Sequence, residues 1–492
     1  MFRSFNFLKS LLIASALLSA LCASADIDKK YFNKVAQEVW NSDMHGFDPN
    51  AELTDSIFQG QSAAYIARYY GITADYDNSA NPVKQRIMGI PNSNLTTVVE
   101  FKRNMVKIFD QSAAETFTEF SIDSDEKIEQ YGITLVKARE VFGARIIKPD
   151  GTVNEIDVTG EALTRTSGKK GEKDVEYKIA IPGLEAGDIL DYFFRSEVSV
   201  EEMNVPPFLL NLLAKYPTKL FTIDVRSDSR LNMEYGAYNG APKVTTFDTA
   251  SDGKNLLFLQ FSDLHSLDES LPYFKTARQM PLYEFNVINP NNTALVKAPN
   301  TQRPGGMRLA IPTFVMRDVS CFIADQKPVD KLVGDAHSIV KKWLKEHPDA
   351  TPEQTADAAW IAINYSLNKQ KLDEPVSDRG LAKSFYTLLA KLDPQTPARI
   401  GVTTSRNGIS IDEIAHYSEA DYIVMLGDRL YYPSNNPTLL PGEMPASLDG
   451  ETYILFTAKP DNKLLYQSAK QEKFPASKPV VNTHKMMVSA SI

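Results

Sequence analysis

Apolar positions along this chain recur at two periods, and the change of period divides it. In DKKYFNKVAQEVW, residues Tyr31, Phe32, Val35, Val39 and Trp40 return every three or four positions, which predicts a helix within 28–50 with Trp40 as its docking anchor. From about 60 to 315 the pattern shifts to short β-branched and aromatic runs between turn residues, among them SAAYIARYYGITADY, TTVVEFKRNMVKIF, EYKIAI and KLFTIDVRS. Asp150-Gly151 in KPDGTV marks a hairpin, because that pair tolerates the positive φ of a tight turn. Beyond the Pro/Asn/Gly-rich stretch 289–307 the helical period returns. It runs through VDKLVGDAHSIVKKWLKEH (closed by His347-Pro348), EQTADAAWIAINYSL and LAKSFYTLLAKL. Three strand-like segments follow, then ETYILFTA, KLLYQSA and a final β run, MMVSASI; the piece carrying Cys321 also reads as strand-like. The fold class expected is α+β: a large antiparallel β-sandwich region over 60–315 and an α+β domain over 316–440. Residues 441–492 form a C-terminal β segment, either the start of a further β domain or a strand returning to an existing sheet.

Composition adds an address. Arg3 and Lys9, the apolar run LLIASALLSAL and Ala23-Ser24-Ala25 make residues 1–25 a signal peptide, leaving 26–59 as an N-terminal helical segment. Cys22 offers a lipidated alternative, but Leu21 is larger than that processing wants, so cleavage before Asp26 is expected. No later run has the length and apolarity of a membrane helix. A periplasmic, cell-envelope or secreted protein is expected. Only Cys321 then remains, so no intrachain disulfide can form and stability rests on the apolar core. With 53 Lys+Arg against 62 Asp+Glu, the formal charge is −9, which argues against nucleic acid as a partner.

Several motifs carry a resemblance when taken in order. ARIIKPDGTV is followed by YKIAIPGLEAGDILDYFF, where Pro182-Gly183 and Gly187-Asp188 make two bends before an aromatic strand. LLPGEMPASLDGETYILF and FPASKPVVNTHKMMVSASI come near the end. This series resembles an uncharacterised β domain and the transglutaminase-like (papain-like) domain after it in envelope proteins of Bacteroidetes-type bacteria, over nearly the whole mature chain. The resemblance implies a catalytic Cys opening the LAKSFYTLLAKL helix, a His opening a later strand and an Asp near the end of the next. Asp378, or Ser377 by a one-residue shift, stands at the first position, Asp421 at the second, and Pro433 or Tyr432 at the third. A nucleophile, its base and an orienting group are thus all replaced, and the triad reads as degenerate.

Three residues are fallback candidates for chemistry. Ser377 is a possible nucleophile but fits better as a helix N-cap. His416 lies five residues before Asp421 and reads as a loop histidine; Cys321, among Val319, Phe322 and Ile323, reads as a small core side chain. The six histidines are scattered without ligand spacing, and no metal or cofactor is expected. Asp123, Asp125 and Glu126 read as a solvated turn. Tyr65, Tyr69 and Tyr70 read as core; Tyr431 and Tyr432 stand equally for core and for a ligand-stacking platform. The leading expectation is a non-catalytic, pseudoenzyme-type envelope protein holding a protein, peptide or glycan. The alternatives are an active transglutaminase or cysteine-peptidase-like enzyme with a displaced site, and a structural spacer of a surface complex.

Overall fold

The computed structural model describes residues 29–77, 95–123, 129–130, 133–159, 163–165, 176–201, 207–244, 248–267, 276–288, 306–309, 312–369, 376–395, 397–434, 439–461 and 464–476. The expected signal segment with Cys22, the turn expected at Asp125-Glu126 and the expected β run MMVSASI lie outside them. The chain divides into two compact units. The first comprises 1–234, 241–274 and 285–308; the second comprises 235–240, 275–284 and 309–492.

The first unit is built on a large sheet. Its order is 248–249, 255–264, 218–227, 63–77, 95–108, 189–201, 133–147 and 129–130, with 153–155 added beside 133–147. Ala63–Asp77 and Thr218–Ser227 pair in parallel, which corrects the all-antiparallel expectation; the other described pairings of this sheet are antiparallel. Parallel strands need a long connection, and the chain between these two is long enough to supply one. Strands 119–123, 176–180 and 163–165 form a second, small sheet. Its Phe120 lies on Phe142, Tyr192 and Phe194 of the large sheet, with ring centroids 4.8–5.9 Å apart. The helix Lys29–Trp40 adds Phe32, Val35 and Val39 to the same core. The hairpin at Gly151 (φ 87°) and the bend at Gly187 (φ 96°) form where the turn residues place them. At the second bend the Asp188 carboxylate accepts from Glu185 N and pairs with Lys148 at 2.9 Å.

A charged cluster is sealed into this unit. Asp191 is fully buried and takes Arg103 through two bonds of 2.9 and 3.0 Å, and Arg145 at 2.8 Å. Both guanidiniums lie over the Trp40 ring, which meets Phe193 edge-on at 5.1 Å.

The second unit packs helices on one face of a five-stranded antiparallel sheet. The strand order is 429–431, 421–426, 398–403, 452–456 and 469–473. Residues 452–473 therefore complete this sheet. KLLYQSA is not one strand: Leu465–Ser468 is a 3-10 turn, and the strand is Ala469–Lys473. The piece carrying Cys321 is a helix, Pro312–Asp325, in which Val315, Val319 and Ile323 repeat at four-residue spacing and are buried. Helices Asp330–Glu346, Pro352–Lys369 and Asp378–Leu392 follow. Successive strand residues point to opposite faces. Tyr422, Val424, Leu426 and Tyr431 join the core beneath the helices, while Ile423, Met425 and Tyr432 belong to a smaller cluster with Tyr453, Leu455 and Phe474. The buried Lys383 clamps the Asp378 helix by donating to Ile323 O and Pro460 O at 2.9 and 3.0 Å.

Replacing Asp191 with Ala leaves two guanidiniums without their shared carboxylate, and denaturant unfolding is expected to show a loss of about 3–5 kcal/mol. A loss under about 1 kcal/mol, the scale of a surface pair, would show that the cluster is solvated.

Candidate functional site

The site is built at the N-terminus of the Asp378–Leu392 helix. The first turn of a helix leaves backbone N–H groups without intrahelical partners and carries a partial positive charge. Ser377 is the N-cap in extended conformation, and its Oγ accepts from Gly380 N at 3.1 Å. That hydroxyl oxygen is engaged in holding the helix end. Asp378, exposed in the first turn, places its carboxylate where the dipole favours an anion. Arg379 turns toward its surroundings: Nε donates to Gln326 Oε1 at 2.9 Å, the guanidinium lies 4.8 Å from the Phe322 ring centre, and it bonds the Tyr422 hydroxyl.

Asp421 opens the central strand Asp421–Leu426, opposite Thr403. Burial raises its carboxyl to about 6, and the nearby Asp378 charge pushes in the same direction. The Tyr432 hydroxyl and the Ser405 backbone N–H donate to it, a smaller opposing effect. The Tyr432 phenol is in turn held protonated by burial and by both carboxylates. The structure thus brings Asp378, Asp421 and Tyr432 together, with Pro433 buried beside Tyr432. Two acidic groups, one of them taking the Tyr432 hydroxyl, can accept hydrogen bonds from a ligand, and Asp421 can exchange a proton near pH 6.

The other candidates are occupied elsewhere. His416 is buried and its ring is kept neutral, its pKa lowered by burial to about 3. Nδ1 lies 2.6 Å from Ser418 Oγ and accepts from Ser418 N, so this imidazole caps the 417–419 turn. The Glu419 carboxylate closes that turn by accepting from Ala415 N and His416 N at 3.0 Å; it also meets the buried Glu284, to which Tyr238 donates. Cys321 is buried at 5% exposure in its helix. The platform reading of Tyr431 is corrected: it is fully buried against Trp360 and Phe385, and its hydroxyl donates to Asp357 at 2.8 Å. Alternation along the strand puts only Tyr432 on the Asp421 side. Asp357, which also pairs with Arg429 at 3.0 Å, carried no motif and was not foreseen. Among the described residues no group of three or more His, Cys, Asp or Glu is placed to hold a metal ion.

Comparison with known proteins bears on each part. Residues 96–264 match a family described as a domain of unknown function with solved structure, DUF3857. No protein of curated function matches the chain in sequence. A solved structure from Parabacteroides distasonis, of a protein provisionally named a protease, is 10% identical. It matches over 85% of this chain and 72% of its own with a TM-score of 0.51, a likeness of fold. A Legionella pneumophila protein provisionally named nutrient-binding is 7% identical over 62% of this chain and 94% of its own, with a TM-score of 0.20, too low to carry an argument. Among the described residues no helix is long and apolar enough to cross a membrane.

The raised Asp421 carboxyl has a consequence for stability. The folded group keeps its proton to about pH 6, whereas the unfolded one releases it near 3.8. Its burial therefore costs nothing below about pH 4 and grows as pH rises toward about 6. His416 acts oppositely, lowering stability as pH falls below its ordinary value of 6.5, but it does so equally in a variant at 421. Asp421→Asn is expected to be more stable than the parent at about pH 7.5 by about 1–3 kcal/mol, a gain that vanishes near pH 4. Urea melts at both values check this; an equal difference at both would contradict a desolvated Asp421.

Proposed function

We propose that the chain is an exported, non-catalytic protein of transglutaminase-like fold that holds a protein, peptide or glycan at the Asp378–Asp421–Tyr432 cluster. The observation that carries this reading is the chemistry at the helix N-terminus. A thiol enzyme needs a sulfur there, with an imidazole in contact. Here the serine oxygen caps the helix and the next side chain is a carboxylate whose charge acts on a second one. Amide, hydroxyl and ammonium donors on a ligand are complementary to such a cluster. The match of residues 96–264 to a domain without assigned function and the signal-like sequence of residues 1–25 support an envelope protein. The protease name of the Parabacteroides protein favours a second reading, a hydrolytic enzyme of the same fold working through Cys321 or His416. The burial of both side chains weighs against it.

Purified full-length protein, given peptide and ester substrates and amine donors, is expected to show no turnover above background. On peptide and glycan arrays it is expected to retain ligands whose affinity falls about tenfold, roughly 1.4 kcal/mol, in Asp421→Asn or Tyr432→Phe. Turnover that disappears in Ser377→Ala, His416→Ala or Cys321→Ala would establish the enzyme reading and overturn this one.

A further inference from the structure

Helices Asp330–Glu346 and Pro352–Lys369 bound a groove of about 870 Å³ on the second unit. Each helix already spends one face on the core, through Val333, Ala336 and Val340 on the first and Ala359, Trp360 and Ile363 on the second. Each also carries a second apolar row, one helical turn apart: Ile339 with Trp343, and Ile361 with Tyr365. Ile339, Ile361 and Tyr365 are 40, 60 and 56% exposed, so three large apolar side chains face solvent around one concavity.

The charge on the wall is one-sided. Glu346, Asp349 and Asp357 are the ionised side chains of the lining, and Lys369 reaches only its end, 5.5 Å from the Tyr365 ring centre. Asp357 is fixed from behind by Tyr431 and Arg429; Glu346 and Asp349 are exposed. The one basic lining group, His347, is stacked on Trp343 at 4.3 Å, with Nδ1 2.9 Å from Trp343 O.

We propose that this groove receives an amphipathic helix of a partner protein whose apolar stripe is flanked by lysine or arginine. The two apolar rows match the i, i+3, i+4, i+7 side chains of about three turns of helix, and the carboxylates meet its cationic flanks. A second copy of the chain fits less well, because it would bring the exposed Glu346 and Asp349 against themselves. The groove is a separate site from the Asp378–Asp421–Tyr432 cluster, and the proposal stands without the binding function assigned there.

The test titrates full-length protein with a fluorescent leucine–lysine amphipathic helix of about 14 residues, and with its leucine–glutamate counterpart. Binding of the lysine peptide, falling about tenfold or more in Ile361→Asp and in Glu346→Lys/Asp349→Lys, is the expected result. Ile361, Glu346 and Asp349 are exposed, so these variants should melt like the parent. Tyr365→Asp gives an independent reading of the apolar row. Equal binding of both peptides, binding of neither, or lysine-peptide affinity unchanged by Ile361→Asp would overturn the proposal. A concentration-dependent dimer abolished by Ile361→Asp would also overturn it, by assigning the groove to a second copy.

Discussion

The second unit depends on the packing of the Asp378–Leu392 helix against its sheet. Leu381, Phe385, Leu388 and Leu389 are all but closed to solvent, and Phe385 meets Trp360 and Tyr431 edge-on at 5.4 and 5.2 Å. Burying each such side chain is worth about 1.5–3 kcal/mol. Burial of Asp421, with a smaller push from the Asp378 charge at the helix end, raises that carboxyl to about 6, a cost of about 3 kcal/mol. The packing outweighs it, so the fold can hold two carboxylates near each other that would separate in water. The same contact fixes Tyr431, and through its hydroxyl Asp357, on the wall of the groove between the neighbouring helices.

The two units bury aspartate in opposite ways. Asp191 is surrounded by two guanidiniums, and its charge is matched within the core. Asp421 is surrounded by a phenol, a backbone N–H and another carboxylate, and its charge is opposed. The first arrangement holds a scaffold together. The second costs stability in its charged form, and that cost is what makes Asp421 the candidate site proposed above.

Local chemistry made much of the fold legible. Asp150-Gly151, Pro182-Gly183 and Gly187-Asp188 are turn residues, and they turn here because their preferences are set within a few bonds. Ser377 was readable as a cap for the same reason. The misreadings arose where a short apolar run fits both periods. Val319 to Ile323 lies in a helix whose repeat is visible only when Val315 is included, and KLLYQSA divides between a turn and a strand. The parallel pairing of Ala63–Asp77 with Thr218–Ser227 joins segments far apart in the chain, and no local pattern encodes it.

The amino-acid order by itself determined the long periodic helices and most of the strands, where the main turns fall, and that a carboxylate and a cap, not a thiol, open the Asp378 helix. Those properties reside in single residues and their near neighbours. Only the tertiary structure decided that Asp378, Asp421 and Tyr432 meet, that Tyr431 is sealed while Tyr432 is not, and that Ile361 and Tyr365 face a groove. Proximity, burial and the dielectric around a charge depend on which distant segments pack together, and that is fixed by the sum of contacts across the fold.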